Sequence, residues 1–292
     1  MNATGAGVPP LPSAVLRALR CSVCRERLSA GERAVRCPNR HSFDVAKQGY
    51  VNLLHAKVDA GTADTTEMVA ARAEFLAAGH YAELAGLLVD RAADLLGDGL
   101  VLDAGGGTGY YLARVLDAAP GATGLALDVS APALRRAARA HPRAGAAVWN
   151  LWREWPLGDG VADLLLNVFA PRNPAEFHRV LRPDGALLVV SPGPDHLAEL
   201  ARLLGLLAVD EDKLDRLDTA LAGYFALAER TSHGGRVLLD PADARRAVLM
   251  GPNAHHLHRD GLADRLGELT EPIGVTTAFE VSVYLPRIAA RA

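Results

Sequence analysis

Residues 100–119 read "LVLDAGGGTGYYLARVLDAA". A short apolar run, Leu100 to Leu102, ends at Asp103; Gly105, Gly107 and Gly109 follow, and then a stretch of helical character from Tyr110. Strand, glycine turn and helix in that order open a doubly wound nucleotide-binding sheet. The next apolar run, "TGLALDVS", ends in Asp128, twenty-three residues after Gly105, where an acid can accept hydrogen bonds from both ribose hydroxyls. Dinucleotide sites use G-x-G-x-x-G, which leaves backbone N–H groups free for a pyrophosphate. Here the third glycine comes one residue early, and Asp103 stands two residues before the first. Such an acid repels a pyrophosphate and attracts an ammonium group, so the pattern favours S-adenosylmethionine over NAD. A glycine turn that is merely structural is the alternative.

The alternation continues on the C-terminal side. "APALRRAARAHP" reads as a helix, "GAAVWN" as a third strand, and "ADLLLNVFAP" as a fourth strand opening into a loop. Residues 173–205, "NPAEFHRVLRPDGALLVVSPGPDHLAELARLLG", read as helix, Pro-Gly turn, fifth strand, loop and helix. Further on, "YFALAERTSHGGRVLLD" carries a His-Gly-Gly turn, and the alternating "TTAFEVSVYLP" lies near the C-terminus. These two runs supply an antiparallel sixth and seventh strand. The expectation is an α/β fold with a Rossmann-like seven-stranded sheet.

Composition limits the partners. The chain has 292 residues, half of them hydrophobic and 22% charged, and carries a net charge of −3, a soluble globular profile that argues against a generic nucleic-acid binder. No apolar run approaches the roughly eighteen residues of a membrane span, and "MNATGAGVPPLPSAVLRALR" does not read as a secretion signal. We expect a cytoplasmic protein without membrane contact, with the oligomeric state open and a homodimer among the alternatives. Charge is unevenly spread. Residues 1–60 hold nine Lys/Arg against four Asp/Glu, a net of +5, which leaves about −8 for residues 61–292. A polyanion, if bound, meets the basic head first; a merely solvated surface is the alternative.

All three cysteines fall in that head. Cys21 and Cys24 form C-x2-C, twelve residues separate Cys24 from Cys37, and His41 follows Cys37 after three. Four soft or borderline ligands in two close pairs suit tetrahedral zinc, and with no open position the site is structural. The second pair encloses Pro38-Asn39-Arg40, a turn sequence, so a knuckle or ribbon fits better than a helical finger. Free structural thiols with an incidental histidine are the competing reading.

Taken together, "CSVC…CPNRHSFDVAKQGYVNLL", "DTTEMVAARAEFLAAGHYAEL", "LDAGGGTGYYLARVL", "NVFAPRNP" and "PGPDHLAEL" resemble the bacterial 23S rRNA (guanine-N1)-methyltransferases. The triple glycine, "NVFAPRNP" and "MGPNAHH" look most like the actinobacterial tylosin-resistance branch. The resemblance runs over nearly the whole chain beyond the first twenty residues. It implies a class I methyltransferase fold with an N-terminal zinc-ribbon domain, divided as 1–60 for zinc and RNA recognition and 61–292 for methyl transfer. It also implies methylation of N1 of a guanine in hairpin 35 of 23S rRNA, associated with macrolide resistance. Carried over by motif, the zinc ligands are Cys21, Cys24, Cys37 and His41. The S-adenosylmethionine contacts are Tyr81, Asp103, Gly105, Gly107, Thr108, Gly109, Tyr110, Asp128 and His196. One departure stands out: "HAKVDAGTADTT", residues 55–66, has one Lys and two Asp where some relatives carry a strongly basic loop.

Guanine N1 carries a proton and is a poor nucleophile until that proton leaves, so the reaction calls for a base or a polarising acceptor beside the fourth strand. Asn167 is placed to bond the guanine edge and Phe169 to stack on a flipped base, against the plainer readings of a turn residue and a core aromatic. His255, His256 and His258 have no acid or cysteine at ligand spacing and read as surface or substrate-loop residues. Two other functions compete: methylation of a small molecule in a secondary-metabolite pathway, and a non-catalytic module that only retains S-adenosylmethionine. Among the head's arginines, Arg25, Arg27, Arg33, Arg36 and Arg40 are the densest candidates for phosphate contacts.

Overall fold

The computed structural model describes residues 11–55, 63–206, 210, 212–251, 253–254 and 261–287. His255, His256 and His258 lie outside them, as does 56–62, most of the weakly basic loop.

The body is one twisted sheet whose parallel strands are β5 (Leu100–Ala104), β6 (Thr123–Asp128), β7 (Ala144–Val148), β8 (Ala162–Val168) and β9 (Leu181–Pro192). β5 and β7 are buried at every position and β6 and β8 at nearly every one, because helices or the head cover both faces; this is why they read as unbroken apolar runs. β5 sits in the middle, with β6 and β7 on one side and β8 and β9 on the other. The order of the chain therefore reverses at β5, and ligands of such sheets bind beyond the strand ends at that reversal. Connecting helices begin where a polar cap precedes proline. Ser130 caps α5 (Ala131–Ala137) and Asn173 caps α6 (Pro174–Val180), each with Pro in the first turn.

β10 (Phe225–Leu239) and β11 (Ile273–Pro286) complete the body. β11 runs against both β9 and β10, so of the two only the seventh body strand opposes the parallel set, and the sixth points the same way as β9. His233-Gly234-Gly235 also differs from its expected turn. It lies inside a continuous strand, with Gly234 opposite Ala278 and Gly235 opposite Thr277. The long β11 partner supplies a ladder at every position there, and that pairing overrides the local turn preference of the glycines.

The head comprises α1 (Ser13–Ala18) and a small antiparallel sheet of β1 (Ser29–Ala30), β2 (Ala34–Arg36) and β3 (Ser42–Asp44). Its last strand, β4 (Tyr50–Asn52), pairs in parallel with β7 and becomes the eighth strand of the large sheet. One hydrophobic core runs without a break from Val15, Leu19, Val35 and Phe43 of the head to Trp149, Trp155 and Leu165 of the body. Trp155 is fully buried within it and packs on Phe177 at 5.6 Å. Among the described residues no helix is long and apolar enough to cross a membrane.

Candidate active site and zinc centre

The glycine turn follows β5. Gly105, Gly107 and Gly109 all have left-handed φ, at 83°, 52° and 78°. At two of them space is also closed: a Cβ on Gly105 would sit 2.3 Å from Ala170 Cβ, and one on Gly109 2.9 Å from Ala137 Cα. Only glycine meets both demands. The Gly105 N–H donates to the Leu127 carbonyl at 2.8 Å, which ties the loop to the end of β6. Asp128 extends that tie, accepting from Gly107 N–H at 3.0 Å and from Ser130 N–H at 2.8 Å, one on each carboxylate oxygen. Burial raises its pKa and these two bonds oppose the rise.

Asp103, on the same strand, is different. It is buried, and no hydrogen-bond or ion-pair partner meets its carboxylate among the described residues. Burial, with the Asp128 charge second, pushes its pKa up to about 7. An isolated buried carboxylate is costly to keep ionised and is relieved by a cation.

At the end of β8, Asn167 is fully buried. Its Nδ2 donates to the carbonyls of Ala104 at 3.1 Å and Pro171 at 2.9 Å, which sets the amide's orientation. Its Oδ1 is left buried with no partner. Phe169 holds a left-handed φ of 52° without being glycine and is 41% exposed. A strained backbone carrying a half-exposed aromatic is a cost that the fold retains beside a cleft. Its ring lies nearly parallel to His196, centroids 6.2 Å apart, with Phe279 at 5.9 Å and Tyr81 at 6.3 Å.

His196 Nδ1 accepts the Ala278 N–H at 3.2 Å, which assigns the proton to Nε2, 2.9 Å from the Tyr81 hydroxyl. Burial lowers the histidine pKa to about 4 and raises that of the tyrosine. Both are neutral near pH 7, and the pair forms a wall of fixed hydrogen-bond direction. Thr108 and Tyr110 continue the glycine turn into α4 (Tyr110–Ala118), with the Tyr110 ring edge-on to Tyr111.

In the head, Cys21, Cys24, Cys37 and His41 present ligand atoms that all lie within 4.8 Å of one another. Cys24 and Cys37 sulfurs are 3.7 Å apart, and His41 Nδ1 is 3.3 Å from Cys37 and 3.5 Å from Cys21. The edge of a tetrahedral zinc–thiolate site is about 3.8 Å for a bond of about 2.3 Å, so the donors are already spaced for the metal. Two knuckles make that spacing. Arg25 N–H returns to Cys21 and Arg40 N–H to Cys37, each arginine at a left-handed φ of 66°. The Glu26 N–H holds the Cys24 thiol down at about 6, whereas burial pushes Cys21 up to about 11.

Of the five arginines expected to meet phosphate, Arg27, Arg33, Arg36 and Arg40 are exposed. Arg25 is not available. Its guanidinium donates to the carbonyls of Trp155 and of Leu157, the latter at 2.9 Å, and it pairs with Glu154. The shared core brings those carbonyls to it, a long-range contact that spacing does not reveal.

The family model described as "RlmA, N-terminal", a zinc ribbon, matches residues 19–58. A 23S rRNA (guanine(748)-N(1))-methyltransferase of Streptomyces fradiae is 50% identical over 275 residues, covering 93% of this chain and 98% of its own. The chain belongs to the 23S rRNA (guanine-N1)-methyltransferase family. A second member of the family, from Micromonospora griseorubida, is 51% identical over 287 residues, 92% of this chain and 97% of its own. Solved structures agree on the fold. The YcgJ protein of Bacillus subtilis superposes with a TM-score of 0.51 at 17% identity, over 70% of this chain and 98% of its own. A chain from the complex of the Haloferax volcanii Trm112 methyltransferase activator with a methyltransferase does so at 0.50 and 18%, over 78% and 100%. The fold is that of the class I methyltransferases, whose cofactor is S-adenosylmethionine.

Spacing alone did not single out Phe279, Ser130, Arg172 or Lys213. Phe279 looks like any inward residue of an alternating strand, and the others gain meaning from partners far along the chain.

For the metal centre, Cys37→Ser removes a buried ligand and leaves three donors for a tetrahedral ion. Metal analysis of the purified protein should find about one zinc per wild-type chain and none in the variant, and the variant should melt at lower temperature, since zinc supplies folding free energy in small metal-dependent units. Retained zinc at one per chain would place the metal elsewhere.

Proposed function

We infer that the protein transfers a methyl group from S-adenosylmethionine to N1 of a guanine in 23S rRNA, residues 1–60 reading the RNA and residues 61–292 performing the transfer. The observation that carries the chemistry is the pair of unmet buried groups on neighbouring strands, the Asp103 carboxylate on β5 and the Asn167 Oδ1 on β8. Each waits for a complementary partner, and a sulfonium amino acid and a guanine edge supply them.

The residues fit the cofactor. Asp103 would receive the methionine ammonium, the Gly105–Tyr110 turn would hold the rest of the ligand, and Asp128 at the end of β6 would accept from the ribose hydroxyls. Tyr81 and His196 close the side toward the substrate. When bound, the cofactor supplies an electrophilic methyl on a sulfonium sulfur. What remains for the protein is to hold guanine N1 in line with it, and such positioning contributes much of the rate in bimolecular transfers. Asn167 Oδ1 would accept a hydrogen bond from the guanine N2–H, leaving N1 to face the methyl, and its fixed amide prevents it from rotating away. As the N1–methyl bond forms and the sulfur–methyl bond breaks, the N1 proton leaves to water. Phe169, exposed at the rim, provides the face on which a base drawn out of its stack can rest.

Polarity of the Asn167 oxygen favours a base edge over an apolar small molecule. The exposed arginines of the head favour a polyanion.

Incubation of the protein with methyl-labelled cofactor and naked 23S rRNA should label the RNA at a guanine whose N1 then blocks Watson–Crick pairing and stops reverse transcription. Asn167→Ala should lower kcat by about 10²-fold or more, on the scale of losing a transition-state hydrogen bond in a dry site, while cofactor affinity holds. Absence of label with intact cofactor binding would instead support the non-catalytic reading.

Cofactor binding should also depend on pH through Asp103. The ionised carboxylate is the binding form and its pKa is raised to about 7. Affinity should therefore climb as pH rises toward 7 and flatten above it, until the ligand's own α-amino group deprotonates at about 7.7–8.0. Calorimetry from pH 5.5 to 7.5 reads this directly, and Asp103→Asn should weaken binding and flatten the profile. A flat wild-type profile would remove Asp103 from the ammonium site.

A further inference from the structure

The loop after β8 carries a second unmet group. Arg172 donates one N–H to the Ser191 hydroxyl at 2.8 Å, and its Nε lies buried with no partner. Among the described residues no carboxylate pairs with it; burial lowers its pKa. The Arg172 charge also reaches Lys213, the half-buried first residue of α8 (Lys213–Leu221). The Lys213 ammonium forms no hydrogen bond or ion pair with any described residue. The acid closest to it electrostatically, Asp210, is engaged by Arg216 at 2.5 Å. Burial and the Arg172 charge both lower the lysine pKa. Two cations within electrostatic reach of each other in a partly dry place, with no counter-charge on either among the described residues, repel each other, and an anion bound between them reverses the sign of that interaction.

Their position says which anion. Ser191 follows Val190, whose carbonyl accepts the Phe169 N–H at 3.2 Å, so the Arg172 guanidinium is anchored next to the strained loop that presents Phe169. The Lys213 charge also reaches His196, whose ring lies on Phe169. Asp103 lies on β5 and the glycine turn follows it, and β8 stands between that strand and β9, which carries Ser191. The pair therefore borders the substrate side of the cleft and is one strand removed from the cofactor side.

We propose that Arg172 and Lys213 form a phosphate subsite that grips the RNA backbone beside the guanosine entering the cleft. This rests on the reading of the protein as an rRNA methyltransferase and adds a residue pair for substrate positioning. A base drawn out of its stack moves on its flanking phosphates, and a fixed grip on one of them sets the register of the base in the pocket. Arg172 offers a planar fork oriented by Ser191, and Lys213 a second positive charge within its electrostatic reach.

The test uses the full zinc-loaded chain and naked 23S rRNA. Lys213→Gln, at a half-buried position that no described partner needs, should raise the KM for rRNA with a smaller change in kcat. It should also reduce the slope of log binding constant against log salt by about one, the signature of a lost phosphate contact. Arg172→Gln should do the same more strongly, and Arg172→Lys should restore the salt slope but not the full kcat, because the charge returns without the fork. S-adenosylmethionine affinity, by calorimetry, should be unchanged in all three. Unaltered KM and salt slope in both glutamine variants would overturn the proposal. So would a loss of cofactor affinity with rRNA binding intact, which would assign the pair to the methionine carboxylate. If the wild type bound rRNA but transferred no methyl, the functional reading would fall, while the salt slopes would still decide the subsite.

Discussion

The parallel pairing of β4 with β7, with the core packed around Trp155 beneath it, is the constraint on which the rest of the molecule depends. A zinc knuckle segment of this length cannot bury enough apolar surface to hold itself in place. Here the metal ligands close its far end, and its near end is hydrogen-bonded into the sheet that carries the cleft. Arg25 adds a lock across the boundary through the carbonyls of Trp155 and Leu157. An exposed arginine on the ribbon and Phe169 at the rim thus belong to one framework. An RNA hairpin that touches both meets a preset distance.

Within that framework the cleft is marked by groups left incomplete. Most buried polar atoms in a folded chain have partners, and among the described residues Asn167 Oδ1 and Arg172 Nε are fully enclosed side-chain atoms that lack one. One closes β8 and the other lies on the loop that leaves it. The unpartnered Asp103 carboxylate faces the same strand ends from β5. The left-handed φ of Phe169 adds backbone strain at the same place. Polar vacancy and strain coincide at the point where the order of the strands reverses, which is where physical arguments about open α/β sheets put the ligand.

Much of this was legible in the sequence because it depends on local rules. The run from Leu100 to Tyr110 announces strand, turn and helix in a row, and the left-handed φ values at Gly105, Gly107 and Gly109 are what that glycine spacing requires. The cysteine spacing and Pro38-Asn39 likewise foretell two knuckles, and the structure has them. What was not legible depends on partners distant in sequence. Tyr50–Asn52 looks like the tail of a small domain until β7 is beside it. Gly234-Gly235 looks like a turn until β11 pairs through it. Arg25 is indistinguishable from Arg27 until Trp155 is packed underneath, and Arg172 and Lys213 are forty-one positions apart.

Whether head and sheet form one body can be read by amide hydrogen exchange before and after zinc is removed with a chelator. Protection should fall together in Cys21–Asp44, in Val51–Leu53 and in Trp149–Leu157, because these segments share one core and one ladder. Loss of protection confined to Cys21–Asp44, with Val51–Leu53 and Trp149–Leu157 as protected as before, would contradict it.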